Sequence, residues 1–244
     1  MLPFAIIVPL VILAVVFFII LSKKEKNKIE FFHVMAHRFR SPISIIKWYV
    51  ELLSDKSVGT LNDKQKEYFT EIYKASEKLS GTIESLIVLL QLQSNSLVIK
   101  NQSVDIKSLI DQILEKLQFK IARHKLNLQK VYPQNQTSVQ GDPKLLNIIF
   151  ENLIENAIRY TPENGNVSIK VNEINNRELP IEIKDNGYGI PKEHKSKILA
   201  DSVNSKDMGF SLYLVKQILK KMGARINFKS EENKGTTFYI YLPS

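Results

Sequence analysis

The sequence predicts three regions in series: an N-terminal transmembrane helix, an all-α antiparallel helical hairpin, and an α+β sandwich with helices on one face of a mixed sheet. Three observations predict them. Residues 1–21 carry no charged side chain, apolar residues then recur in heptads from Ile29, and beyond Asp105 amphipathic helices alternate with short extended segments. The 244 residues leave room for one or two domains besides an anchor, and 44% hydrophobic with 24% charged residues is the balance of a chain that folds. With Cys 0, disulfide scaffolds, thiolate zinc sites and cysteine nucleophiles are excluded, and the four histidines (His33, His37, His124, His194) are too few and scattered to point to a histidine-rich metal site.

The first run reads MLPFAIIVPLVILAVVFFIIL. At ~1.5 Å rise per residue its helix spans roughly 31 Å, the depth of a bilayer's hydrocarbon core. Lys23, Lys24, Lys26 and Lys28 follow at once, so the positive-inside rule leads us to expect a single-pass protein of the cell membrane with its C-terminal bulk cytoplasmic. A cleaved signal peptide would want a basic region before the run and a small-residue cleavage site after it; the sequence has neither. The lysines account for part of the net charge of +9. With no basic stripe interleaved with aromatics, no nucleic-acid partner is expected.

From Ile29, apolar residues fall at Phe32, Ala36, Phe39, Ile43, Ile46, Val50 and Leu53. After the Val58-Gly59-Thr60 turn a second run occupies Phe69, Ile72, Ser76, Leu79, Ile83, Leu86 and Leu90. Alternating gaps of three and four make a sustained heptad, and two such helices pair as an antiparallel hairpin. One hairpin buries a narrow seam only, so a homodimeric four-helix bundle completes it; an inert coiled-coil spacer would show the same periodicity. Beside the seam stands His37-Arg38-Phe39-Arg40-Ser41-Pro42. His37 faces solvent if Ala36 is on the seam, and Pro42 cannot donate to the carbonyl of Arg38, which predicts a bend one turn after the histidine.

Ser94 to Asn101 is a polar junction. Asp105 then caps a helix burying Leu109, Ile110, Ile113, Leu114, Leu117 and Ile121. Extended segments at Leu126–Tyr132 and Thr137–Gln140 lead to Gly141-Asp142-Pro143, an N-cap followed by proline at the first helical position. The next helix has two faces. Leu145, Leu146, Ile149, Phe150, Leu153, Ile154, Ala157 and Ile158 line one; Asn152, Asn156 and Arg159 lie at i, i+4 and i+7 on the other. Strands at Val167–Val171 and Ile181–Ile183, a glycine loop, a basic stretch, a helix near Ser211–Met222 and a hairpin closing at Leu242 complete the chain. In the loop Asp185-Asn186-Gly187-Tyr188-Gly189-Ile190, a carboxylate can accept from an exocyclic amine, and the glycines let backbone approach a flat ring. Asn152 and Asn156 offer neutral oxygens suited to a hard cation, and Arg159 can pair with phosphate; two asparagines on a helix are also ordinary surface polarity.

Together and in this order, these segments resemble the sensor histidine kinases of two-component systems. His37–Pro42 is similar to the H box around the phosphoacceptor histidine, Asn152–Pro162 to the N box, and Asp185–Pro191 to the G1 box. Gly209 through Lys216 occupies the G2 position, and Gly235-Thr236-Thr237 resembles the closing segment. The resemblance implies a transmembrane anchor at 1–22, a dimerisation and histidine-phosphotransfer hairpin at 23–98, and a catalytic ATP-binding domain of the gyrase-like (GHKL) type at 99–244. It implies ATP and Mg²⁺ as cofactors. Asn156, assisted by Asn152, would hold Mg²⁺, Arg159 would touch phosphates, and Tyr160 would lie near the adenine. Asp185 would bind the adenine amine with Gly187, Gly189 and Ile190 alongside, and Gly209, Leu212 and Thr236 would complete the nucleotide site. His37 would carry the phosphoryl group and hand it to an aspartate of a response-regulator receiver domain, with the Ser41 hydroxyl placed to position water for dephosphorylating that partner or to cap backbone beside Pro42.

Three departures qualify that expectation. Arg38 stands where the family has an acidic residue that accepts the histidine's Nδ1 proton, a role typically worth about 10²–10⁴-fold in rate. Only Gly209 remains of the G2 glycines, in Asp207-Met208-Gly209-Phe210-Ser211-Leu212, which weakens backbone donation to phosphate. The stretch from Pro191 to Gly209 lacks the family's phenylalanine motif, while Lys192, Lys195, Lys197 and Lys206 keep it basic. The sequence thus leaves two readings open: a kinase of reduced rate, or a nucleotide-binding pseudokinase that acts as a dimerising scaffold.

Overall fold

The computed structural model describes residues 41–55, 59–135, 137–198 and 210–244. The expected anchor at 1–22, His37 with its neighbour Arg38, and Gly209 lie outside the described residues. Among the described residues no helix is long and apolar enough to cross a membrane. The chain divides after Leu97 into two compact units.

In the first unit, α1 (residues 41–54) and α2 (Asp63–Gln93) share their heptads unequally. Ile43, Val50, Ser76, Ile83 and Leu90 are buried, and Ile43 clusters with Ile83 and Ile87. The other half of each heptad pair, Ile46, Leu53, Ile72, Leu79 and Leu86, is exposed. Lys47 ties the helices together through an ion pair with Glu77 and lies 5.4 Å from the Tyr73 ring centroid. A neutral capping box starts α2: Asn62 Oδ1 accepts from Gln65 N, and Gln65 Oε1 accepts from Asn62 N, both at 2.9 Å.

The second unit opens with β1 (Gln102–Asp105) and α3 (Ile106–Arg123), whose N-cap is Asp105 as its sequence position predicts. Two strands follow, β2 (Asn127–Val131) and β3 (Ser138–Gly141), and then α4 (Pro143–Tyr160), capped by Asp142 with Pro143 in its first turn. The remaining elements are β4 (Asn166–Val171), β5 (Glu178–Asp185), α5 (Lys192–Ile198), α6 (Phe210–Lys221), β6 (Arg225–Glu231) and β7 (Gly235–Pro243). Five strands form one mixed sheet in the order β2-β4-β5-β7-β6, with β2 parallel to β4 and the other pairs antiparallel. Strand alternation sends Val167, Ile169, Leu179, Ile181, Ile183, Phe238 and Ile240 into a core. α4 supplies the other wall, with all eight of its expected core residues buried, and α3 and α6 flank it. The α+β arrangement with helices over a mixed sheet is therefore the one expected.

Strand β1 was not visible in the sequence. Its four residues show no useful alternation; it exists because it pairs antiparallel with β3, Gln102 opposite Gly141. Asp142, buried just beyond that pair, serves two segments. Its Oδ1 accepts from Lys144 N at 3.0 Å, and its Oδ2 accepts from Lys100 N at 3.0 Å. The start of the unit and the start of α4 thus share one carboxylate.

Candidate functional site

α4 carries the polar half of the site because its apolar half is fixed against the sheet. With eight side chains committed to the core, the positions at i, i+4 and i+7 on the opposite face have only one way to point. Asn152 Nδ2 donates to Ile148 O at 2.7 Å, which leaves its amide oxygen unspent. Asn156 is half-buried and makes no side-chain hydrogen bond among the described residues, and Arg159 is exposed with no ion pair there. The helix ends as Thr161 donates its hydroxyl to Ala157 O at 2.6 Å. Its last residue, Tyr160, keeps an exposed ring.

Asp185 closes β5 and is 7% exposed. Both hydrogen bonds it accepts fall on Oδ1, from Gly187 N at 2.9 Å and Thr236 N at 3.2 Å. Oδ2 takes neither. Burial pushes the carboxyl above its ordinary range, and the two N–H groups pull the other way without cancelling it. An acceptor oxygen left over from the protein's own bonding, on an otherwise buried carboxyl, is the feature an amine donor would satisfy.

The structure brings the loop after Asp185 and the end of α4 together: Tyr188 N donates to Tyr160 O at 3.1 Å. It also gives a different reason for the glycines than proximity to a ring. A Cβ on Gly187 would lie 2.1 Å from Tyr160 O, and one on Gly189, whose φ is +65°, would lie 2.0 Å from Glu231 O. These positions are glycine because chain packs on chain there. Ile190 N donates to Ser230 Oγ at 2.9 Å, Thr236 is buried beside Asp185, and Leu212 is half-buried on α6. Of the basic residues expected around the next segment, Lys195 donates from Nζ to Ser230 O. Ser41 is exposed on α1, in the first unit.

The site is suited to a nucleotide and a hard cation. Among the described residues no group of three His, Cys, Asp or Glu side chains could hold a metal. A cation here would therefore depend on the Asn156 and Asn152 oxygens, water and a ligand's phosphates, and amide oxygens and an Arg159 without partners among the described residues fit that donor set. Sequence reasoning missed Ser230 and Tyr188. Ser230 sits in an ordinary alternating strand, and the role of Tyr188 is played by its backbone.

Comparison with known proteins agrees with this geometry. Residues 27–95 match the His Kinase A (phospho-acceptor) domain, and residues 141–244 match the histidine kinase-, DNA gyrase B-, and HSP90-like ATPase. The sensor protein SrrB of Staphylococcus aureus is 28% identical over 228 residues, which cover 90% of this chain and 38% of SrrB. The chain thus spans less than half the length of the curated relatives it matches. Among solved structures, full-length ShkA in complex with AMPPNP has a TM-score of 0.69 at 21% identity, over 88% of this chain and 45% of that one. The Acinetobacter baumannii histidine kinase AdeS has a TM-score of 0.59 at 21% identity, over 85% of this chain and 97% of that one. These two likenesses are likenesses of fold.

Proposed function

We propose, for a chain that belongs to the sensor histidine kinase family, that it transfers the γ-phosphoryl group of Mg-ATP to His37 and passes it to an aspartate of a response-regulator receiver domain. In the first step the imidazole Nε2 attacks the γ-phosphorus, the bond from that phosphorus to the bridging oxygen breaks, and ADP leaves. The proton released from Nδ1 goes to water or to a carboxylate, since Arg38 cannot accept it. Asp185 takes the adenine amine through Oδ2, Tyr160 lies along the base, and Arg159 pairs with phosphate. Gly187, Gly189 and Ile190 shape the loop under the base, and Gly209, Leu212 and Thr236 complete the nucleotide site. Asn156 and Asn152 would hold Mg²⁺, which supplies charge neutralisation along the phosphates.

The observation that carries the reading is the leftover acceptor on buried Asp185, joined by the Tyr188–Tyr160 backbone bond to a helix whose Asn156 and Arg159 have no protein partners among the described residues. For the partner, support comes from α1. At 100° per residue, Ile45, Trp48 and Leu52 fall on the side opposite Ile43 and Val50, together with Ser41, and all three are exposed. That stripe is our candidate surface for the receiver domain. The anchor at 1–22, with the bulk of the chain cytoplasmic, rests on the charge-free run and the lysines that follow it.

The test is labelling of the full chain with γ-phosphate-labelled ATP. Acid-labile label that disappears in His37→Ala supports the kinase. Nucleotide binding without label, at long times and with a receiver domain present, favours the pseudokinase scaffold that Arg38 and the reduced G2 glycines also suggest. Absence of nucleotide binding ends both readings.

A further inference from the structure

Ser230 joins three elements at the corner that holds Asp185: it is the cross-strand partner of Thr236 in the β6–β7 ladder, and its hydroxyl also reaches the loop at Ile190, which sheet pairing does not account for. The residue is half-buried on β6. Its Oγ accepts from Ile190 N at 2.9 Å, lies 3.1 Å from Gly235 O in donor geometry, and stands 2.9 Å from Thr236 Oγ1. Its carbonyl accepts from Lys195 Nζ, which fixes the backbone from the side of α5.

One proton decides the direction of this network. A carbonyl oxygen only accepts, so the bond to Gly235 O consumes the Ser230 hydroxyl hydrogen. The contact with Thr236 must then run the other way, from Thr236 O–H to Ser230 Oγ. With its proton spent and its N–H already on Asp185 Oδ1, Thr236 has only lone pairs left to offer. Asp185 Oδ2, ionised, is likewise an acceptor. Two neighbouring groups that both accept form a reader for donors.

We propose that Ser230 is a positioning residue for base recognition: it orients the Thr236 hydroxyl as an acceptor beside Asp185, so that the pair selects a purine carrying an exocyclic amine over one carrying a carbonyl at the same place. The inference rests on the nucleotide reading above and adds the residue that sets its selectivity. A site built to hydrogen-bond one group discriminates strongly against an analogue that leaves its polar atoms unpaired or opposed. In Ser230→Ala the Thr236 hydroxyl loses its acceptor and turns freely, and it can then donate to a carbonyl as readily as accept from an amine.

The experiment compares the full-length wild type, Ser230→Ala and Ser230→Thr for binding of ATP and of inosine triphosphate, with backbone amide hydrogen exchange in the nucleotide-free proteins. Ser230→Ala should weaken ATP about tenfold, the effect of one lost buried hydrogen bond, and leave inosine triphosphate within about twofold, so the preference collapses. Ser230→Thr should restore it. The amides of Ile190 and Thr236 should exchange faster in Ser230→Ala while those of the β4–β5 ladder keep wild-type rates. Equal losses for both nucleotides, an unchanged preference, or failure of Ser230→Thr to restore it would reduce Ser230 to a structural residue and overturn the proposal. If the wild type holds neither nucleotide, the kinase reading fails and this one with it; if it holds both with equal affinity, this proposal alone is overturned and the nucleotide reading stands.

Discussion

The two units bury apolar periodicity to different degrees. On α4 every apolar position of the pattern is inside: Leu146, Ile149, Phe150, Leu153 and Ile154 show no exposure at all. On the hairpin the pattern is split, with Ile43 at 4% and Ile46, three residues on, at 45%; Ile83 at 7% and Leu79 at 50%. Among the described residues the first unit therefore leaves a set of five heptad Ile and Leu side chains exposed, and the second leaves no comparable set on α4. A helix against a sheet finishes its core within one chain. Two helices against each other cannot, because each has apolar positions on two sides of its seam and only one partner. A second copy of the hairpin, offering the same set in return, is the economical completion and is the dimer we propose.

Stability measurements break or uphold this contrast most directly. Phe150→Ala should cost about 3–5 kcal/mol, the range for an aromatic lost from a closed core, and the loss should not depend on protein concentration. The matched change in the hairpin, Leu79→Ala, should cost less, roughly 2 kcal/mol of dimer stability, and should appear as a concentration-dependent melting temperature and a weaker dimer in sedimentation. A wild-type chain that sediments as a monomer at micromolar concentration, or a Leu79→Ala loss indifferent to concentration, would mean that the exposed set is covered by something other than a second copy.

The same contrast explains what could be read in advance. Both heptads and both faces of α4 were legible, since a period of 3.5 or 3.6 is written in one dimension. The caps at Asp105 and Asp142 were legible because a capping carboxylate lies within three residues of the N–H it serves. The split of the heptads was not, because Ile43 and Ile46 are equally apolar and only the partner helix distinguishes them. Nor could the sequence show why Gly187 and Gly189 are glycines, because the carbonyls they make room for belong to Tyr160 and Glu231, distant along the chain. Ser230 escaped for the same reason: its contacts at Ile190 and Thr236 come from other strands and loops.

A smaller effect sharpens the contrast within the second unit, where the site opposes the stability of its own core. Burial raises the Asp185 pKa. A carboxyl whose folded pKa lies above its unfolded value favours folding when protonated, and this contribution declines as pH rises through the folded value. Above the folded value the ionised carboxylate is thus maintained against the fold, ready to accept a donor. Asp185→Asn should therefore leave the melting temperature at pH 7 unchanged or higher while weakening ATP binding roughly ten- to a hundredfold. In the wild type, affinity should decline on acidification beginning above the pH at which an ordinary aspartate titrates. A destabilised Asp185→Asn with normal affinity would remove Asp185 from the site.

The smallest effect concerns how the helices of the two units begin. α2 is capped by Asn62 and Gln65, which carry no charge, whereas α3 is capped by Asp105, which accepts from Ser108 N at 3.2 Å and from the Thr137 hydroxyl. Burial raises the Asp105 pKa, but hydrogen bonds from Ser108 and Thr137 outweigh it and hold the carboxyl below its ordinary range. A group with a depressed folded pKa stabilises above its unfolded pKa, and that contribution is lost as pH falls through the folded value. Acid should therefore loosen the start of α3 and spare the start of α2. Amide exchange at Ser108 should accelerate beyond the intrinsic change in rate as pH falls below the ordinary aspartate range, while exchange at Gln65 follows the intrinsic rate alone. Asp105→Ala should cost about 1 kcal/mol at pH 7 and progressively less at lower pH, whereas Asn62→Ala should cost a similar amount at every pH. Parallel acid responses at Ser108 and Gln65 would show that the two units share one cooperative transition, and their difference in burial would then not translate into a difference in autonomy.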